Sequence, residues 1–178
     1  MNQLTVKQIS RIGIFTALTI ILSQMSIPMP YGVPMTLQTF IIPLVSLILG
    51  KKEGTFVASI YILLGLVGLP VFAGFSGGAS IFFGPTGGFI FSFPIMAYLS
   101  GIAKEKESST SALFWLSLGT ALNLLIGMFY FSFVTSSTLV VAFTACVLPF
   151  IPTAIIKVAL VYLVGKKLSP LVYRSASV

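Results

Sequence analysis

Nine of the ten basic residues in this chain fall at only four places: Lys7 and Arg11, Lys51 and Lys52, Lys104 and Lys106, and Lys166, Lys167 and Arg174. The stretches between them are apolar, and every second junction between apolar segments carries no charge. A soluble domain of average composition devotes about 25% of its residues to charge. Here the charged share is 7%, the hydrophobic share is 57% and the mean hydropathy is +1.09. The composition predicts an all-α integral membrane protein, and its 178 residues leave room for one membrane domain, 1–178. Positive charge that recurs at alternate junctions predicts six transmembrane helices with both termini in the cytoplasm. The net charge of +7 is set by these loops rather than by a clustered basic motif, so no nucleic-acid partner is expected.

In chain order, the first segment runs from Lys7 to Ser26. Basic residues ahead of an apolar body resemble a signal peptide, but no small-residue cleavage site follows, so it reads as a spanning helix. Gly13 and Ala17 stand four apart within it, a spacing that lets another helix approach closely. Pro28, Pro30 and Pro34 make Ile27 to Met35 an ordered, non-helical connector. The second segment, Thr36 to Leu49, is about 21 Å long as a helix, short of a hydrocarbon core of about 30 Å. Either the connector completes the crossing or the helix is a short one packed inside the bundle. A charged turn is expected at Gly50 to Gly54, and a third helix from Thr55 to Gly68.

The glycine-rich loop Gly68 to Gly88 follows, then a fourth segment from Thr86 to Ala103 and a hydrophilic linker from Lys104 to Ser109. The fifth helix occupies Ser111 to Phe133, with Asn123 near its middle. After a polar turn at Thr135 to Thr138, the sixth runs from Val140 to Val164, interrupted by Pro149 and Pro152, and is expected to stop at Lys166-Lys167. This topology puts the glycine-rich loop and the proline connector together on the outer side. Irregular backbone at membrane depth survives where it lines a cavity, and glycine lets backbone approach a ligand closely. The loop therefore reads as the wall or lid of a small-molecule site.

Lys157 is the basic residue outside the four places. It lies about 13 Å along a helix from Lys166, deep in an apolar segment where a lysine costs roughly 2.5 to 3.5 kcal/mol on insertion scales. Snorkelling to an interface is the plain reading. All three acids, Glu53, Glu105 and Glu107, lie in the expected cytoplasmic loops, so a ligand anion is the sharper reading of its counter-ion. Gln38, Thr86 and Asn123 are candidates to read the remaining polar atoms, with Asn123 equally suited to a helix-helix hydrogen bond. Tyr31 and Phe75 are candidates to cover apolar parts, and Gly84 and Gly87 to bring backbone close.

Other chemistries lack their residues. The chain has no histidine and no aspartate, and its one cysteine, Cys146, forms no intramolecular disulfide. Gly84-Pro85-Thr86-Gly87-Gly88 lacks the lysine of a phosphate-binding loop. No enzyme, cofactor or metal site is expected, and a binding subunit that takes its energy from a partner fits these absences. The alternative is a stand-alone carrier of a small organic anion.

Four motifs in order, Ile27-Pro28-Met29-Pro30, Val33 to Thr39, Gly68 to Gly74 and Gly84 to Phe89, resemble the BioY family, the biotin-binding S components of energy-coupling factor (ECF) transporters. The resemblance implies a multi-pass S-component bundle in a prokaryotic cytoplasmic membrane that captures biotin from outside. It also implies association with a transmembrane coupling subunit and two ATPase subunits. The family's last-helix lysine matches Lys157, and its small residues for docking match Gly13 and Ala17. Where members often carry Gly-Asp this chain has Thr153-Ala154, and Phe89 stands in place of a tyrosine.

Overall fold

The computed structural model describes residues 4–174 and is mainly helical. In chain order α1 is Val6–Ser23, α2 Gln38–Leu49, α3 Lys51–Leu66, α4 Gly87–Phe91, α5 Phe93–Ile102, α6 Ser109–Thr135, α7 Leu139–Cys146 and α8 Ile151–Arg174. Two short strands, β1 Ser26–Ile27 and β2 Met35–Thr36, pair antiparallel with Ser26 opposite Thr36. Three stretches are long and apolar enough to cross a membrane: Val6–Ser23, Ser109–Thr135 and Leu139–Val172.

Helix α1 starts where Thr5 and Gln8 satisfy each other's backbone N–H groups in a capping box. Its buried positions, Ile12, Thr16, Thr19 and Ser23, follow helical spacing. The three hydroxyls there donate to carbonyls one turn back, Ile12, Phe15 and Thr19, so no polar group is left unpaired on that face. Gly13 and Ala17 lie on the opposite, exposed side.

Helix α2 is enclosed by its neighbours. Ten of its residues are buried, including the unbroken run Ile41 to Leu49. It is a short central helix packed against α1, α3, α5 and α8, and a helix apolar all round belongs in such a place. The expected charged turn shrinks to Gly50 alone, at φ 91°, a conformation that glycine adopts without strain. Lys51 to Gly54 are already helical. A Cβ on Gly54 would sit 2.6 Å from the Ser46 Cα, so its absence lets α2 and α3 touch backbone to backbone.

The fourth segment divides into α4 and α5 at Ser92, ahead of Pro94. The sixth divides at Leu148 to Phe150 around Pro149, as expected, while Pro152 sits in the first turn of α8, where no N–H is missed. Helix α8 does not stop at Lys166-Lys167. It runs on through Pro170 to Arg174, since Gly165 lies against Leu47 of α2 and Ser169 donates to the Ile48 carbonyl.

Candidate functional site

The proline connector and the glycine-rich loop fold over one end of the bundle and enclose a cavity of about 310 Å³ with α2, α4, α5 and α6. In the connector, Tyr31 and Gly32 both take positive φ, 68° and 76°, which reverses the chain so that β1 and β2 pair. The pairing delivers Thr36 and the first turn of α2 to the cavity wall. In the loop, Phe72 and Ser76 bridge, with Phe72 N donating to the Ser76 carbonyl at 2.9 Å. Gly65 leaves room for the Phe72 ring, which comes within 2.0 Å of where a Cβ would stand. The wall is mainly apolar, from Phe72, Ile81, Phe89, Ile90, Phe93 and Phe150, with Thr36, Gln38, Thr39, Ser76 and Thr86 supplying polar groups.

Lys157, on α8, is not itself among the residues that line the cavity, but it is bonded to two that are. Its Nζ donates to the Thr36 carbonyl at 2.7 Å and to the Thr39 hydroxyl at 2.9 Å, and both residues line the cavity. An ammonium has three donors, so these bonds leave one for another acceptor. Its partners are neutral, as the placement of the acids requires. Two ion pairs, Arg11–Glu53 and Lys51–Glu105, belong to the other end of the bundle.

Of the remaining sequence candidates, Gln38, Thr86 and Gly84 line the cavity. Four others do not. Tyr31 and Phe75 hold positive φ at the tips of their loops and point outward, 64% and 72% exposed. Asn123 joins helices instead: its amide donates to the Phe89 carbonyl and the Ser92 hydroxyl at 2.9 and 2.7 Å, tying α6 to the α4–α5 junction. Gly87 is a packing glycine, because a Cβ there would lie 2.0 Å from the Phe82 carbonyl oxygen. Its neighbour Gly88 is as tight, 2.3 Å from the Tyr130 Cβ. Gly88→Val is expected to cost roughly 1 to 3 kcal/mol by overpacking α4 against α6, read as a lowered unfolding temperature in detergent.

Three contributors escaped the sequence reading. Thr39 sits in the first turn of α2, and only the crossing of α8 shows that it meets Lys157. Tyr61 is fully buried; its hydroxyl receives the Gln38 amide at 2.7 Å and donates to the Val71 carbonyl at 3.0 Å. Gln24, just beyond α1, donates to the Val71 carbonyl and accepts from Phe75 N at 2.8 Å, which pins the loop to the first helix. Glutamine at the end of an apolar helix was a visible signal, but its partner 51 residues away was not.

The arrangement suits a small, largely apolar anion, with its charge at Lys157 and its body among aromatic rings. The sequence matches the BioY family over residues 1–174. A probable biotin transporter BioY of Pyrococcus horikoshii is 39% identical over 163 residues, 91% of this chain and 96% of that one. A biotin transporter BioY of Thermotoga maritima is 48% identical over 103 residues, and the match spans 58% of this chain and 60% of that protein. The crystal structure of the S-component for biotin from an ECF-type ABC transporter superimposes with a TM-score of 0.85 at 30% identity, covering 93% of this chain and 94% of that one. Sequence match and shared architecture agree, and the chain belongs to the BioY family.

Proposed function

We propose that the protein is the biotin-capturing subunit of an ECF-type vitamin uptake transporter, a multi-pass protein of the prokaryotic cytoplasmic membrane. The observation that carries this reading is the Lys157 ammonium, bonded to Thr36 and Thr39, two residues of the wall of an apolar cavity. The valerate carboxylate takes the remaining donor of Lys157, and the ring system lies among Phe72, Phe89 and Phe93. Gln38 and Thr86 face the ureido group. A volume of about 310 Å³ stands at the lower end of the range for small-molecule pockets, roughly 300 to 1,000 Å³.

Six crossings are assigned to α1, α2 with its hairpin, α3, α4 with α5, α6, and α7 with α8. Both termini lie in the cytoplasm, and the cavity faces outward. The gathering of ion pairs and lysines at the end away from the cavity supports this orientation. The chain carries no phosphate-binding loop, so uptake requires a transmembrane coupling subunit and two ATPases. Gly13 and Ala17 supply the small-residue face on which the coupling subunit docks. Calorimetric titration of the detergent-purified protein should show saturable one-to-one binding of biotin, and heat absent from intact, folded protein rules the reading out.

A further inference from the structure

A second cavity, of about 470 Å³, lies at the end of the bundle away from the first, between the start of α6 and the last turns of α8. Lys104, Lys106 and Lys166 line it against one carboxylate, Glu107. Lys106 and Lys166 are exposed, and Lys166 lies over the Tyr162 ring with its Nζ 3.3 Å from that hydroxyl. Lys104 is half-buried between this cavity and the α2–α3 turn, and burial pushes its pKa down to about 8, so an anion beside it would favour its charged form.

The seam between α6 and α8 continues from this cavity as an apolar groove, of about 370 Å³, one helical turn further on. Small side chains on both helices, Ser117, Ala121, Ala154 and Ala159, leave the depression, which Leu113, Ile155 and Val158 line. Ser117, Ala121, Ile155 and Ala159 are exposed, so the groove opens to the outside of the bundle. From Leu113 to Leu124 it is about 16 Å long, close to half of a hydrocarbon core about 30 Å thick. Basic head cavity and one-leaflet apolar groove are therefore collinear.

We infer that this seam is a binding site for one anionic phospholipid, its phosphate held by Lys104, Lys106 and Lys166 and one acyl chain laid in the α6–α8 groove. A free phosphate or soluble nucleotide would use the lysines but leave the groove without a purpose, whereas a zwitterionic lipid would use the groove but not the charge. Basic pockets between membrane helices take anionic headgroups by the same chemistry. The site is independent of the ligand of the first cavity and rests only on the chain's residence in a membrane.

The test is native mass spectrometry of the full chain, released from detergent micelles doped with equal amounts of dioleoylphosphatidylglycerol and dioleoylphosphatidylcholine. Wild type should retain a single phosphatidylglycerol in preference to phosphatidylcholine by about tenfold. The preference should fall to near parity in Lys106→Gln/Lys166→Gln and persist in Lys106→Arg/Lys166→Arg. It should also persist in Lys7→Gln/Lys52→Gln, which removes the same charge elsewhere. Ala121→Phe, which fills the groove, should lower retention of the diacyl lipid. Equal retention of both lipids by wild type overturns the inference, as does a preference lost equally in the charge-matched control. Displacement of the lipid by inorganic phosphate alone would assign the lysines to a soluble anion and overturn the lipid reading.

Discussion

Replacing Lys157 with methionine is expected to weaken biotin binding at least about thirtyfold, because removing one member of a desolvated, hydrogen-bonded charge pair costs roughly 2 to 5 kcal/mol. Methionine keeps much of the stem and removes only the ammonium. The two protein bonds of Nζ, to the Thr36 carbonyl and the Thr39 hydroxyl, are lost with it. The carboxylate is then left against the neutral oxygens of Thr36 and Thr39. Thr39→Val separates the contributions: it deletes one bond that aims the ammonium but keeps the charge, so its loss should be smaller. Calorimetric titration of the three proteins side by side checks both points. Wild-type affinity in Lys157→Met would return this lysine to a snorkelling role and leave the cavity without its anion site.

The second large effect is expected at the other end of the bundle. Arg11 grips Glu53 with two bonds, Nε to Oε2 at 3.0 Å and an Nη to Oε1 at 2.8 Å, and Gln8 adds a third at 3.3 Å. Glu53 is only 6% exposed. Arg11→Met strands a buried carboxylate, a change that costs about 3 to 5 kcal/mol when nothing compensates. Lys104 already feels both members of the pair and takes up part of the load, which places the loss toward the lower end. The double variant Arg11→Met/Glu53→Met should recover most of it, since two apolar groups leave no charge to bury. Cys146, fully buried and the only cysteine, provides the measurement, because a thiol-reactive dye reports the temperature at which α7 opens. An unchanged transition in Arg11→Met would mean that the pair contributes nothing to holding α1 against α3.

Both predictions turn on groups whose type was visible in the sequence but whose partners were not. Lys157 announced itself as a charge in an apolar segment with no acid near it in the chain. Its two oxygen partners lie 121 and 118 residues away, and only the crossing of α8 over α2 brings them together. The glycine-rich stretch was legible as a cavity wall, and Gly84 lies there. Gly87 and Gly88 look the same in sequence, yet they serve helix packing against Phe82 and Tyr130. Tyr31 and Phe75 looked like covers for a ligand, but positive φ at the loop tips turns both outward.

By itself, then, the sequence determined the membrane class, the positions of most helices, the interruption at Pro149 and the one basic residue set inside an apolar segment, Lys157. These depend on hydropathy, charge spacing and proline, which act within a few residues along the chain. Tertiary structure decided that α2 is a central buried helix and that α8 runs past Lys166-Lys167. It also decided which polar groups line the cavity and which tie helices together. Those outcomes depend on which helix faces meet, and such contacts are made by close packing between residues distant in sequence. Asn123 carries the distinction in one side chain: suited by type to a ligand or to a neighbouring helix, it is bonded to Phe89 and Ser92 because α4 and α5 pack against α6 at that point.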